Sequence, residues 1–143
     1  MTLPARLITD AAGGARHIVK SIVIAQGAFN GVGTIVEVPN QSGDGEDIFR
    51  DDLVFPQGTL HLVTTNLGFA FNVIPQSCRF TASVQQTGEI AGGTGLFTEA
   101  SGSGAGGVVA HGTAARAGDG SCDALAPTPH EVDRISSTGT LTY

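Results

Sequence analysis

Four titratable side chains sit inside strand-like runs, where alternation can bring them to a common interior: Asp51, Glu37, His61 and Arg79. In residues 48–55, Phe49, Asp51, Leu53 and Phe55 share one face, and Ile48, Arg50, Asp52 and Val54 share the other. Asp51 is then a carboxylate on an aromatic-rich face expected to point inward. Desolvation raises a carboxyl pKa and suits the group to proton transfer. The competing reading is a structural Asp paired with an arginine or a turn amide. Glu37 shares a face with Ile35 and is a second candidate. However, Val32, Thr34, Val36 and Val38 form a more consistently apolar face, which favours that face as the inner one and Glu37 as solvent-facing. His61 lies between Leu60 and Leu62 and shares a face with Val63 and Thr65. It is either a proton shuttle near neutral pH or a packed strand histidine. Arg79 shares a face with Thr81, Ser83 and Gln85, a polar row that points more naturally to solvent. Turned inward, it would pair with Asp51 or hold a substrate carboxylate. The expected acid–base set is therefore Asp51, Glu37, His61 and Arg79, with Phe49, Phe55, Leu53 and Phe80 as apolar substrate contacts.

Other clusters lack the context their chemistry needs. Residues 130–134 read His-Glu-Val-Asp-Arg, which is not H-E-x-x-H; after a loop stiffened by two prolines they either close a barrel mouth or form a solvated loop, the preferred reading. His17, His61, His111 and His130 are too scattered to assign a metal site, so no metal is expected. Residues 102–107 fit G-x-G-x-x-G, but no amphipathic helix follows, so dinucleotide binding is rejected and no cofactor is expected. Asp44-Gly45-Glu46-Asp47 lacks EF-hand spacing. Asn40-Gln41-Ser42 is a formal glycosylation acceptor, and no serine lies in a G-x-S-x-G elbow.

The elements that would position these residues are strands. The 143 residues suit one domain, with 41% hydrophobic, 14% charged and 21 Gly. The charged share falls well below the usual quarter. Gly, Thr and Val between turn signals favour strands, and no run keeps a 3.6-residue period over ten positions. Strand-like runs fall at 17–26, 33–38, 48–55, 59–65, 69–74, 79–86, 102–115 and 135–143. Residues 1–15 read as a flexible leader, 16–143 as one β-domain, and 117–131 as a long loop. The run at 17–26 is apolar on both faces, as expected of a wall also covered outside, for example by a subunit contact. A net charge of −6 argues against nucleic acid and an anionic membrane surface, and no apolar run reaches spanning length. No signal peptide is read at the start, which leaves a cytoplasmic protein or a mature secreted form. Cys78 and Cys122 permit either one disulfide, stabilising by about 4 kcal/mol, or two reduced thiols.

Strand count alone gives a sandwich or a barrel. One segment narrows the choice. Thr87-Gly88-Glu89-Ile90-Ala91 enters Gly92-Gly93-Thr94-Gly95, then Leu96-Phe97, and a small-residue run from Ala100 to Gly104 leads away. This resembles the glycine-rich signature of the allene oxide cyclase and dirigent barrel superfamily. Consecutive glycines permit positive φ and a sharp reversal, and Phe97 would plug one barrel end. The resemblance implies an all-β, eight-stranded antiparallel barrel of the allene oxide cyclase-like kind. It also implies a homo-oligomer (trimer or dimer) and a cavity for a small hydrophobic molecule. The plant cyclase's catalytic residues have no clear counterparts here; the first strand has no glutamate. Three functions follow as expectations: a cofactor-independent cyclase or isomerase that folds its substrate with acid–base assistance, a non-catalytic hydrophobic-ligand-binding or dirigent-like barrel, or a structural secreted domain whose barrel is filled by its own side chains. Interior volume separates the third from the others.

Overall fold

The computed structural model describes residues 1–10, 17–126 and 128–143. Its strands are β1 (Ala5–Asp10), β2 (His17–Ala25), β3 (Gly31–Val38), β4 (Ile48–Phe55), β5 (Gly58–Val73), β6 (Arg79–Gly93), β7 (Ser101–Thr113), β8 (Ala115–Arg116), β9 (Cys122–Asp123) and β10 (His130–Gly139). Eight of them close an antiparallel barrel in the order β1-β10-β7-β6-β5-β4-β3-β2, while β8 and β9 form a separate hairpin. A closed barrel leaves no unpaired strand edge.

The stretch read as a leader corrects in part. Residues 5–10 are β1, paired with β10 on one side and β2 on the other, so the barrel closes through them. Ahead of β1, Thr2 bridges Gln26 and Thr138, so residues 1–4 are tied to the barrel as well, while residues 11–15 lie outside the described residues, as does Arg16. The runs at 59–65 and 69–74 are one strand, β5, whose pairing with β6 shifts register between Asn66 and Gly68. The loop read at 117–131 contains β9 and the start of β10. That last strand runs from His130 to Gly139, earlier than the 135–143 read from sequence.

One barrel end is plugged. Thr94 leads into a single 3-10 turn, Gly95–Phe97, which drops Phe97 into the barrel at 0% exposure. Its ring centroid lies 4.8 Å from Phe29, 5.4 Å from Tyr143 and 6.3 Å from Phe55. The turn needs glycine where the resemblance placed it: Gly92 has φ +85° and Gly95 φ +59°. Fully burying such a ring stabilises by about 2–3 kcal/mol.

The inner face of β3 reverses one expectation. Ile35 is buried, while Val32 and Val36 are 57% and 50% exposed. The apolar row of Val32, Val36 and their neighbours therefore faces out, and Glu37 belongs to the inner row. The reason lies at Gly31 and Gly33. The Phe55 ring packs at both, and at Gly33 a Cβ would approach its Cδ1 to 2.8 Å. The inner side of β3 is small so that neighbouring rings fit, and small residues hide the periodic signal.

Cys78 and Cys122 form a disulfide, with a Cα–Cα separation of 5.4 Å. Cys78 ends the β5–β6 turn and Cys122 lies in β9, so the bond ties the β8–β9 hairpin to that turn. Of the G-x-G-x-x-G match, Gly102 and Gly104 lie against the returning C-terminal chain, where a Cβ would collide with the Thr140 and Thr138 carbonyls, while Gly107 faces the Val84 carbonyl of β6. They serve close strand approach.

Candidate functional site

The end opposite the plug is open and leads to a cavity of about 310 Å³. Strands β5, β6 and β7 have 16, 15 and 13 residues against 8 each in β3 and β4, so three long strands overhang one side of the mouth. The register shift at Asn66/Gly68 matters here. Leu62, Thr64 and Asn66 line the cavity, and so do Phe69 and Phe71, although strict alternation from Leu62 would turn both phenylalanines outward. Phe71 stacks on Phe69 at 6.0 Å and on Phe80 of β6 at 5.3 Å. Three rings thus run along the overhang, with Phe69 68% exposed at the lip.

Deeper in, the wall mixes apolar and polar groups. Leu7, Val23, Ile35, Leu53 and Leu62 supply apolar surface. Asp51 of β4 and Asp133 of β10 both face this space, with Glu131 nearer the mouth. Asp133 is 4% exposed. Gln86 Nε2 donates to Asn66 Oδ1 at 2.7 Å, cross-linking β6 and β5 below the rings.

The residues singled out from sequence separate as follows. Asp51 faces the cavity, as do Phe49, Leu53 and Phe80. Glu37 lies directly opposite Asp51 in the β3–β4 ladder, on the same face but exposed. This places it at the rim on the inner row. His61 faces out: its cross-strand partner is Asp52, and its Nδ1 lies 2.7 Å from Asp52 Oδ1 on the outer wall. It cannot reach the cavity, because Leu62, its neighbour, holds the inward position opposite Asp51. Arg79 is exposed on the outer face beside Thr81 and His111, so the pairing with Asp51 does not form. Phe55 packs in the plug, 5.0 Å from Phe29, and is not among the residues lining the cavity.

Asp133 and Glu131 belong to the ionisable cluster at 130–134, for which the sequence favours a solvated loop over closing a barrel mouth. Yet β10 already runs from His130. The signal was present: Glu131, Asp133, Ile135 and Ser137 alternate, and all four line the cavity. Two acidic residues on an inner row look like a surface pattern, which hid the strand's start.

The acidic loop has its own use. Arg50 Nε and Nη2 donate to the Asp44 carboxylate at 2.7 and 2.9 Å, and the Gln41 amide donates to it at 2.7 Å. These bonds, Arg50 foremost, hold the Asp44 carboxyl down at about 2 from its ordinary 3.8. Among the described residues, no group of three His, Cys, Asp or Glu side chains is arranged to hold a metal, and no helix is long and apolar enough to cross a membrane.

No protein-family model, no curated protein and no solved structure matches the chain.

Proposed function

We propose that the barrel takes a small hydrophobic molecule into the cavity and acts on it as a cofactor-independent cyclase or isomerase. The observation that carries this reading is the pairing of aromatic and aliphatic walls with the inward carboxylates Asp51 and Asp133. A cavity of about 310 Å³ falls within the size range of small-molecule sites. The walls would fold the substrate and exclude water, and Asp51 would take a proton from one substrate position and return it at another. The Phe69–Phe71–Phe80 row favours a ligand with a flat, conjugated or ring portion at the mouth.

A second reading, a barrel that binds or orients a hydrophobic molecule without turning it over, draws on one specific observation. His61 and Arg79 stand outside, so two of the four acid–base candidates never meet a ligand. The resemblance to the cyclase and dirigent barrels is compatible with either.

Native mass spectrometry of the purified protein would identify the retained molecule. With that molecule as substrate, Asp51→Asn is expected to lower turnover about a hundredfold or more and to leave binding intact. Unchanged turnover in the variant removes Asp51 from the chemistry. Binding with no turnover in the unmodified protein selects the carrier reading.

We further propose that copies of the chain associate through the outer wall of β2–β4, where Ile22, Val32, Val36 and Val54 are exposed together.

A further inference from the structure

We propose that the β8–β9 hairpin, with Ala124 and Thr128 beyond it, is a strap over the cavity mouth, latched by Cys78–Cys122, and that reducing this bond speeds ligand exchange. The proposal rests on the cavity being a ligand site.

The strap leaves the barrel after β7 and returns at β10, whose first residue pairs with the last of β7. Between these points it leans inward: Ala124 and Thr128 line the cavity beside the mouth residues Phe71 and Phe80. Among the described residues, Ala114 and Cys122 at its base pack with Cys78, Phe80, Ala82 and Ala110, and a few polar bonds hold the rest. Its root is fixed by the Ala114 amide donating to the Cys78 carbonyl at 2.8 Å. Arg116 Nη2 donates to the Gln76 carbonyl at 2.7 Å, and its Nη1 donates to Gly120 within the strap. Leu125, the largest apolar side chain near its tip, is 98% exposed and packs on nothing. The disulfide is therefore the one covalent tie between the strap and the β5–β6 turn. Because the barrel has its own plug and its own closed ladder, the bond can open without unmaking the fold.

Cys78 is buried while Cys122 is half-buried, so attack falls on Cys122 Sγ. A dithiol reductant supplies the thiolate and forms a mixed disulfide, releasing Cys78 as thiolate. The reductant's second thiolate then displaces Cys122. Two electrons and two protons end on the protein's cysteines, and the reductant leaves as a cyclic disulfide.

The test follows release of a neutral apolar fluorophore, N-phenyl-1-naphthylamine, from oxidised protein, from protein reduced with dithiothreitol, and from the double variant Cys78→Ser/Cys122→Ser. Hydrogen exchange is measured on the same three samples. Reduction and the double variant are expected to raise the dissociation rate about tenfold, with affinity changed mainly through that rate. Amides in residues 114–126 should lose protection while those of β4–β7 keep theirs. Equal dissociation rates in all three samples overturn the proposal. So does loss of protection across the whole barrel, which would make the disulfide a fold staple. If the fluorophore binds none of the samples, the cavity reading fails, and unchanged protection at 114–126 would dispose of the strap separately.

Discussion

At Asp44 and Arg50 a bidentate pair anchors the loop between β3 and β4. The carboxyl is depressed in the folded state, so its contribution to stability is present above the ordinary value of 3.8 and is lost as pH falls toward about 2. Arg50→Gln is expected to flatten the fall in urea midpoint between about pH 4 and about pH 2. An identical slope in the variant would remove the pair from the acid response. Other residues show what single positions reveal. Asp51 was legible because Phe49, Leu53 and Phe55 flank it on one face, and the structure puts its carboxylate in the cavity. His61 was not, because a histidine between two leucines reads alike whether Leu60 and Leu62 or His61 turns inward. Only the ladder with β4, which sets His61 opposite Asp52, decides the matter.

Among the elements, the plug and the mouth divide the phenylalanines between two jobs. Phe97 has no exposed surface and touches three other rings, whereas Phe69 lies open at the lip. Phe97→Ala is expected to lower unfolding free energy by about 3–5 kcal/mol, read by urea denaturation. Phe69→Ala should leave that midpoint nearly unchanged and weaken binding of the apolar fluorophore instead. A large stability loss in both variants would contradict this division. The plug was legible because glycines at fixed offsets before an aromatic have few structural solutions. The aromatic row was less so: the register shift after Asn66 depends on pairing with β6, and no local pattern in β5 announces it. The start of β10 escaped for a related reason. Acidic side chains on its inner row contradict the rule that inner means apolar, and that contradiction marks the cavity.

For the whole molecule, the closed ladder followed from strand number and the glycine turn together, while the orientation of the walls did not. On β3 the outside is more apolar than the inside, since Val32 and Val36 are exposed and Gly31 and Gly33 make room for rings. This inversion supports association through the outer wall. Replacing Val32 and Val36 with Asp together should convert an oligomer to a monomer in light scattering while leaving the circular dichroism of the barrel intact. A wild-type protein that is already monomeric at high concentration would refute association through this wall.

The strap has a consequence for traffic between cell compartments. Under the carrier reading, a barrel latched by one disulfide fills slowly and empties slowly wherever thiols are kept oxidised. In a reducing space that opens the bond, the same barrel would exchange its cargo faster and settle sooner to the occupancy set by the cargo concentration there. The timing of delivery would then be set by the destination's redox chemistry through a single covalent bond, and its direction by the cargo gradient.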